Sequence, residues 1–128
     1  MAYRLKFTEK EGYSHIQVTG ENCFETVKNY LAEINRECRQ RGVTHILVEE
    51  FLHGESLSIF DVFQIASQGS SQAASFFRKI AYVDRNAEHS GMKMEFAETV
   101  ASNRGLNVRM FSNTMDAEDW LLSANQED

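Results

Sequence analysis

Proline is absent from the 128-residue chain. No helix or strand is therefore broken by a ring-locked residue, and turns fall to Gly, Asn, Asp and Ser. Cysteine is nearly absent too. Cys23 and Cys38 sit on or beside one predicted helix, and a continuous helix holds them roughly 22 Å apart, too far for a disulfide. Both read as free thiols, small buried or half-buried hydrophobes of a reducing compartment. No apolar run approaches the roughly 20 residues of a membrane span, and because Met1-Ala2-Tyr3-Arg4 leads straight into alternating polar and apolar residues, no secretory leader is expected. The expectation is a cytoplasmic protein. Positive charge is scarce: 13 Lys and Arg stand against 19 Asp and Glu, a net charge of −6. That balance works against DNA or RNA as a partner. G-x-G-x-x-G, Walker and G-x-S-x-G sequences are missing, and neither cysteine lies in a recognisable motif. These absences argue against a phosphate cradle and against covalent catalysis.

Apolar material, by contrast, is ample. Hydrophobic residues make up 42% of the chain, with nine Phe, four Tyr and one Trp, enough for one real core in a single domain spanning residues 1–128. Tyr3 to Phe7 and Ser14 to Val18 alternate polar and apolar residues around a polar turn, which predicts an antiparallel hairpin. Phe24, Val27, Leu31, Ile34 and Cys38 recur at spacings of three and four, a helix over 24–41 with Gly42 as its stop. Asn22, with Glu25 three residues on, is the expected cap. Ile46-Leu47-Val48 has the unbroken apolar character of a central strand, followed by an acidic loop from Glu49 to Leu57.

Ser58 and Asp61 stand in cap-and-box spacing at the start of a second helix, with Ile59, Val62, Phe63 and Ala66 as its apolar face. The segment Gln68 to Gln72 is weak helix material and predicts a kink. Ile80 to Val83 is the next buried strand. A third helix over 92–103 places Met92, Phe96 and Val100 on one side. A last strand over 107–111 leads to a short helix capped at Asn113 or Thr114, and the tail from Asn125 is expected to fray. The element order is ββαβαβαβα, an α/β mixed sheet with helical crossovers.

The C-terminal half carries a more specific pattern. The strand Arg78 to Asp84 is followed by a helix containing Phe96-Ala97-Glu98. Next come Gly105 to Phe111, a strand ending in an aromatic residue, and a short helix with Ala117, Trp120 and Leu121. This arrangement resembles the SpoIIAA-like family of the wider STAS group, also described as STAS/SEC14-like, over nearly the whole chain. The resemblance implies a mixed sheet with the hairpin at one side and parallel strands covered by helices. It further implies a non-enzymatic regulatory or protein-interaction module in bacteria, acting on a protein partner or through self-association as a homodimer. No catalytic residue or cofactor carries over. In the anti-sigma-factor antagonists of that group, a phosphorylatable Ser or Thr begins the helix after the central strand, which would make Ser58 the phosphosite. The long acidic loop departs from the antagonists' short Asp-Ser-Ser-Gly pattern, and Glu49, Glu50 and Glu55 would repel a phosphate, so Ser58 is read as a helix cap.

Glu49, Glu50, His53 and Glu55 are the residues to weigh for a metal or for acid–base work. Adjacent carboxylates on a strand point to opposite faces, and His15, His45 and His89 are scattered, so no metal site is expected. Phe51, Leu52, Leu57, Phe60, Phe63, Met92 and Phe96 exceed what a single inward stripe needs. They read as the lining of a small apolar pocket or an interface near the second and third helices, against the plainer alternative of core plus one exposed aromatic. Two main functions follow: the interaction module, or a domain binding a small apolar ligand or lipid in a pocket under those helices. An enzyme using the Glu49–Glu55 loop is the weaker third.

Overall fold

A computed structural model of the chain describes residues 3–86, 89 and 91–123. The two alternating runs form a hairpin of β1 (Tyr3–Lys10) and β2 (Tyr13–Glu21). At its turn Gly12 adopts a φ of 93°, and a Cβ there would approach Leu122 Cδ2 to 2.9 Å. Backbone and contact both call for glycine. The helix α1 (Phe24–Arg41) has the bounds its periodicity predicts and buries Val27, Tyr30, Ile34 and Cys38. It ends in the left-handed Gly42, whose N–H donates to the Cys38 carbonyl.

The next strands, β3 (His45–His53), β4 (Lys79–Asp84) and β5 (Val108–Phe111), extend one five-stranded sheet in the order β1-β2-β3-β4-β5. Only the β1–β2 pair is antiparallel; the other three are parallel. The crossovers α1, α2 (Ile59–Ala74) and α3 (Gly91–Asn103) lie in one layer on one face, and α4 (Thr114–Leu122) covers part of the other. Register sorts the side chains by face. Ile16, Val48, Tyr82 and Met110 line up across the helix-covered face, beside a second row of Val18, Glu50 and Asp84. On the opposite face Leu47, Ala81 and Val83 pack against Ala117 and Leu121 of α4. Both cysteines are free, and among the described residues no helix is long and apolar enough to cross a membrane.

Several local features differ from the sequence expectation. The acidic segment begins later than its composition implies: Glu49 and Glu50 belong to β3 and are both buried, because each finds hydrogen-bond donors on its own face. Cys23, not Asn22, caps α1 and makes no side-chain bond to the helix backbone. Asn22 is held elsewhere, its N–H donating to the His53 carbonyl and its side-chain amide to the Glu55 carbonyl, each at 2.7 Å. The helix α2 starts as expected, with the Ser58 hydroxyl accepting the Asp61 N–H at 3.1 Å. It does not break at Gly69, and the Ser70 hydroxyl donates to the Ala66 carbonyl within it. Its inward face is rotated from the expected one: Ile59 is 51% and Phe63 41% exposed, while Val62, Ile65, Ala66, Gly69 and Ala73 face the sheet side. Met92 is 80% exposed at the start of α3. Asn113 caps α4, accepting the Asp116 N–H at 2.8 Å. The tail from Asn125 lies outside the described residues.

Candidate functional site

The helical layer does not close onto the sheet everywhere. Ser70 is the sole fully buried residue of α2. Many of the side chains that α2 and α3 turn inward are short: Ala66, Gly69 and Ala73 from one, Ala97 and Ala101 from the other. Phe63 and Phe96, which have the bulk to fill space, instead meet each other with ring centroids 6.4 Å apart, and Arg104 lies 5.8 Å from the Phe63 ring. A cavity of about 440 Å³ is left between the layers, within the range of small-molecule sites. Ile46, Val48, Ile80 and Val108 form its floor, Val27, Leu31 and Ile34 one wall, and Val62, Ile65 and Met94 its roof.

One end of the cavity is polar, at the carboxyl ends of β3 and β4. Alternation along β3 puts Glu50 on the same face as Ile46 and Val48, and β4 does the same for Tyr82 and Asp84. The Tyr30 and Tyr82 hydroxyls both donate to Glu50 Oε2, the latter at 3.0 Å, and the two hydroxyls also touch. Burial first, then the charge of Asp84, pushes the Glu50 carboxyl up to about 8, against the opposing hydrogen bond from Tyr82. Burial and then the neighbouring Glu50 likewise hold the Tyr82 phenol well above its ordinary value. Glu50 is thus a neutral acid near pH 7. Behind it, Asp84 Oδ2 lies 2.7 Å from His89 Nδ1 and Oδ1 accepts the Asn86 N–H at 3.0 Å. His89 Nε2 lies 3.2 Å from the Gly54 carbonyl and 3.3 Å from the Asn22 amide nitrogen, fastening the β3–α2 connection to the rim. Lys93 donates to the Leu57 carbonyl at 2.6 Å.

No family model matches the chain, and no curated protein matches its sequence. Solved structures do. An uncharacterized protein of the DUF3478 family with a SpoIIAA-like fold, from Shewanella loihica PV-4, aligns with a TM-score of 0.55 at 16% identity, over 94% of this chain and 94% of its own. The fold is SpoIIAA-like. The Ala117, Trp120 and Leu121 pattern is structural in this chain: Ala117 and Leu121 seal the second face of the sheet, with Trp120 packed against them. Lys79 reaches over the Trp120 ring to donate to the Trp120 and Ser123 carbonyls, at 2.8 and 2.9 Å, at the end of α4.

The sequence-derived candidates scatter over this SpoIIAA-like frame. Leu57 lines the cavity. Leu52 is core, 1% exposed. Phe51 lies on the opposite face, in a shallow groove with Arg4, Lys6, Gln17 and Thr19. Phe60 and Met92 are exposed, and Phe63 and Phe96 form the α2–α3 contact. Ser58 caps its helix. Glu49 and Glu50 are parted by the sheet, as adjacent strand residues must be. Glu49 accepts from Arg85 Nε at 2.7 Å and contacts His15 Nε2 at 2.8 Å. Burial raises its pKa, but the bonds from Arg85 and His15 outweigh that and hold it below the ordinary carboxylate value. His53 and Glu55 are exposed and join neither group, and no set of three potential metal ligands occurs among the described residues. Tyr30, Tyr82, Asp84, His89 and Asn22 were not candidates from sequence. The available signal was polar residues at alternate positions in the buried strand Ile80–Asp84.

Proposed function

We propose that the chain is a non-enzymatic binding domain that holds a small, largely apolar molecule between its helical layer and its sheet. The observation that carries this reading is the cavity of about 440 Å³, apolar along its length and hydrogen-bonding at one end. Sites of this make-up bury a ligand's hydrocarbon and fix its orientation through a few convergent polar groups. Its polar end stands at the carboxyl ends of β3 and β4, where Glu50 and Asp84 lie in register. Native mass spectrometry of the purified protein tests the proposal: a hydrophobic molecule is expected to travel with the chain. A bare mass, together with no rise in melting temperature on adding medium-chain alcohols, would count against it.

A second reading, a protein-interaction module, draws on a different observation. Ile59, Phe60 and Phe63 of α2 and Met92 of α3 are 51%, 63%, 41% and 80% exposed. They stand at the amino ends of two neighbouring helices, the kind of apolar surface a homodimer or a protein partner covers. Sedimentation equilibrium of the wild type and of Phe60→Asp tests it: a dimer that the substitution dissociates supports this reading, and a wild-type monomer with no partner refutes self-association.

A further inference from the structure

The polar end of the cavity is unbalanced between donors and acceptors. Tyr30 and Tyr82 spend both phenolic protons on Oε2 of Glu50 or on each other. Glu50 Oε1 has no hydrogen-bond partner among the described residues, although Glu50 is only 6% exposed. With both donors gathered on Oε2, the proton of the neutral acid sits on Oε1, and its loss leaves Oε1 as unmet acceptor capacity. Asp84, in register with Glu50 on β4, places a second carboxylate on the same face. Three basic side chains line the same cavity, and each has contacts away from Glu50: His89, on the β4–α3 connection, contacts Asp84, Lys93 of α3 donates to the Leu57 carbonyl, and the exposed Lys28 of α1 holds its ammonium 6.0 Å from the Phe24 ring. From β2 the neighbour in register is Val18, and α2 contributes Val62 and Ile65 without charge.

Deepening the ligand-binding reading, and resting on it, we propose that the cavity selects an amphipathic amine, its hydrocarbon along the apolar floor and its ammonium on Glu50 Oε1. An ammonium brings three donors and a positive charge to a site rich in acceptors and carboxylates. A hydroxyl would supply a single donor and no charge. A carboxylate head would add negative charge beside Glu50 and Asp84. Burying ionised Glu50 alone is unfavourable, which is why its carboxyl rises to about 8; an ion pair with the ligand reverses that preference. An alkylamine keeps its proton to about pH 10, so the complex forms with loss of one proton from Glu50, and affinity climbs with pH until Glu50 is ionised in the free protein.

Isothermal titration calorimetry of the full chain with octylamine, octanol and octanoate, from about pH 6 to about pH 9, tests this. Octylamine is expected to bind tightest, its affinity rising ~50-fold between about pH 6 and pH 8. About one proton per bound amine is expected to be released, read from buffers of different ionisation enthalpy. Octanol should bind with no pH dependence, and Glu50→Gln should abolish the pH rise of octylamine affinity. If that variant does not fold, the proton count on the wild type decides alone. Amine binding that is independent of pH, or octanol or octanoate binding as tightly, overturns the amine proposal and leaves the ligand-binding reading standing. Binding by none of the three overturns both.

Discussion

Glu50 holds a carboxyl group on the floor of a sheet where its neighbours are Val18, Val48 and Asp84. Unfolded, it titrates near the ordinary glutamate value; folded, at about 8. Between those values the folded chain keeps a proton that the unfolded chain has released, so this group's contribution to stability falls as pH rises through the window. Its strand neighbour Glu49 has the opposite sign: its pKa is depressed, and its stabilisation is present above the ordinary carboxylate value and lost on acidification. Glu50→Gln should therefore gain on the wild type by about 4 kcal/mol between about pH 5 and pH 9, whatever its constant offset from the leftover amide hydrogens. Urea denaturation across that range measures the difference, and a flat difference would mean that Glu50 is ionised in the fold. Cys38 is quieter. Burial pushes its thiol up to about 11, so alkylating reagents should reach the half-buried Cys23 first.

At the scale of elements, α2 has the smallest share of buried residues among the four helices. Its contacts are with α1 and α3, and one residue of its 16 is fully buried. Amide exchange of α2 should run ahead of α1 and β3 and slow on adding a ligand that bridges helix and sheet; hydrogen–deuterium exchange with and without octanol reads both. Ala97→Leu, placing hydrocarbon in the cavity, should add about 1 kcal/mol of stability to the ligand-free protein and weaken octanol binding. The position of α2 also shows where sequence reading stops. The elements were legible nearly residue for residue, because α1 repeats at three and four and the hairpin alternates at two. The inward face of α2 was not, since Phe63 outweighs Ala66, Gly69 and Ala73 in any pattern of apolarity, although the small residues are the ones facing the sheet. The site was less legible still. Glu50 reads as loop because it stands in an acidic run, and its partners Tyr30 and Tyr82 lie 20 and 32 residues away. Only the register of β3 on β4 brings Glu50 beside Asp84.

Viewed whole, the molecule is asymmetric. Three helices roof one face of the sheet and a single short helix serves the other. Every strand lies beside the strand that precedes it in sequence, so none has to be threaded between two already paired. The sheet is therefore suited to growing one strand at a time while the chain is still being synthesised. The price of that order falls on α4. Leu47, Ala81 and Val83 form an apolar stripe as soon as β3 and β4 pair, and Ala117 and Leu121 emerge only after all five strands. Until then the nascent domain carries a finished roof and an open underside. A chain stopped after Phe111 should pellet from lysates in which the full chain stays in the supernatant, and α4 supplied as a separate peptide should recover part of it.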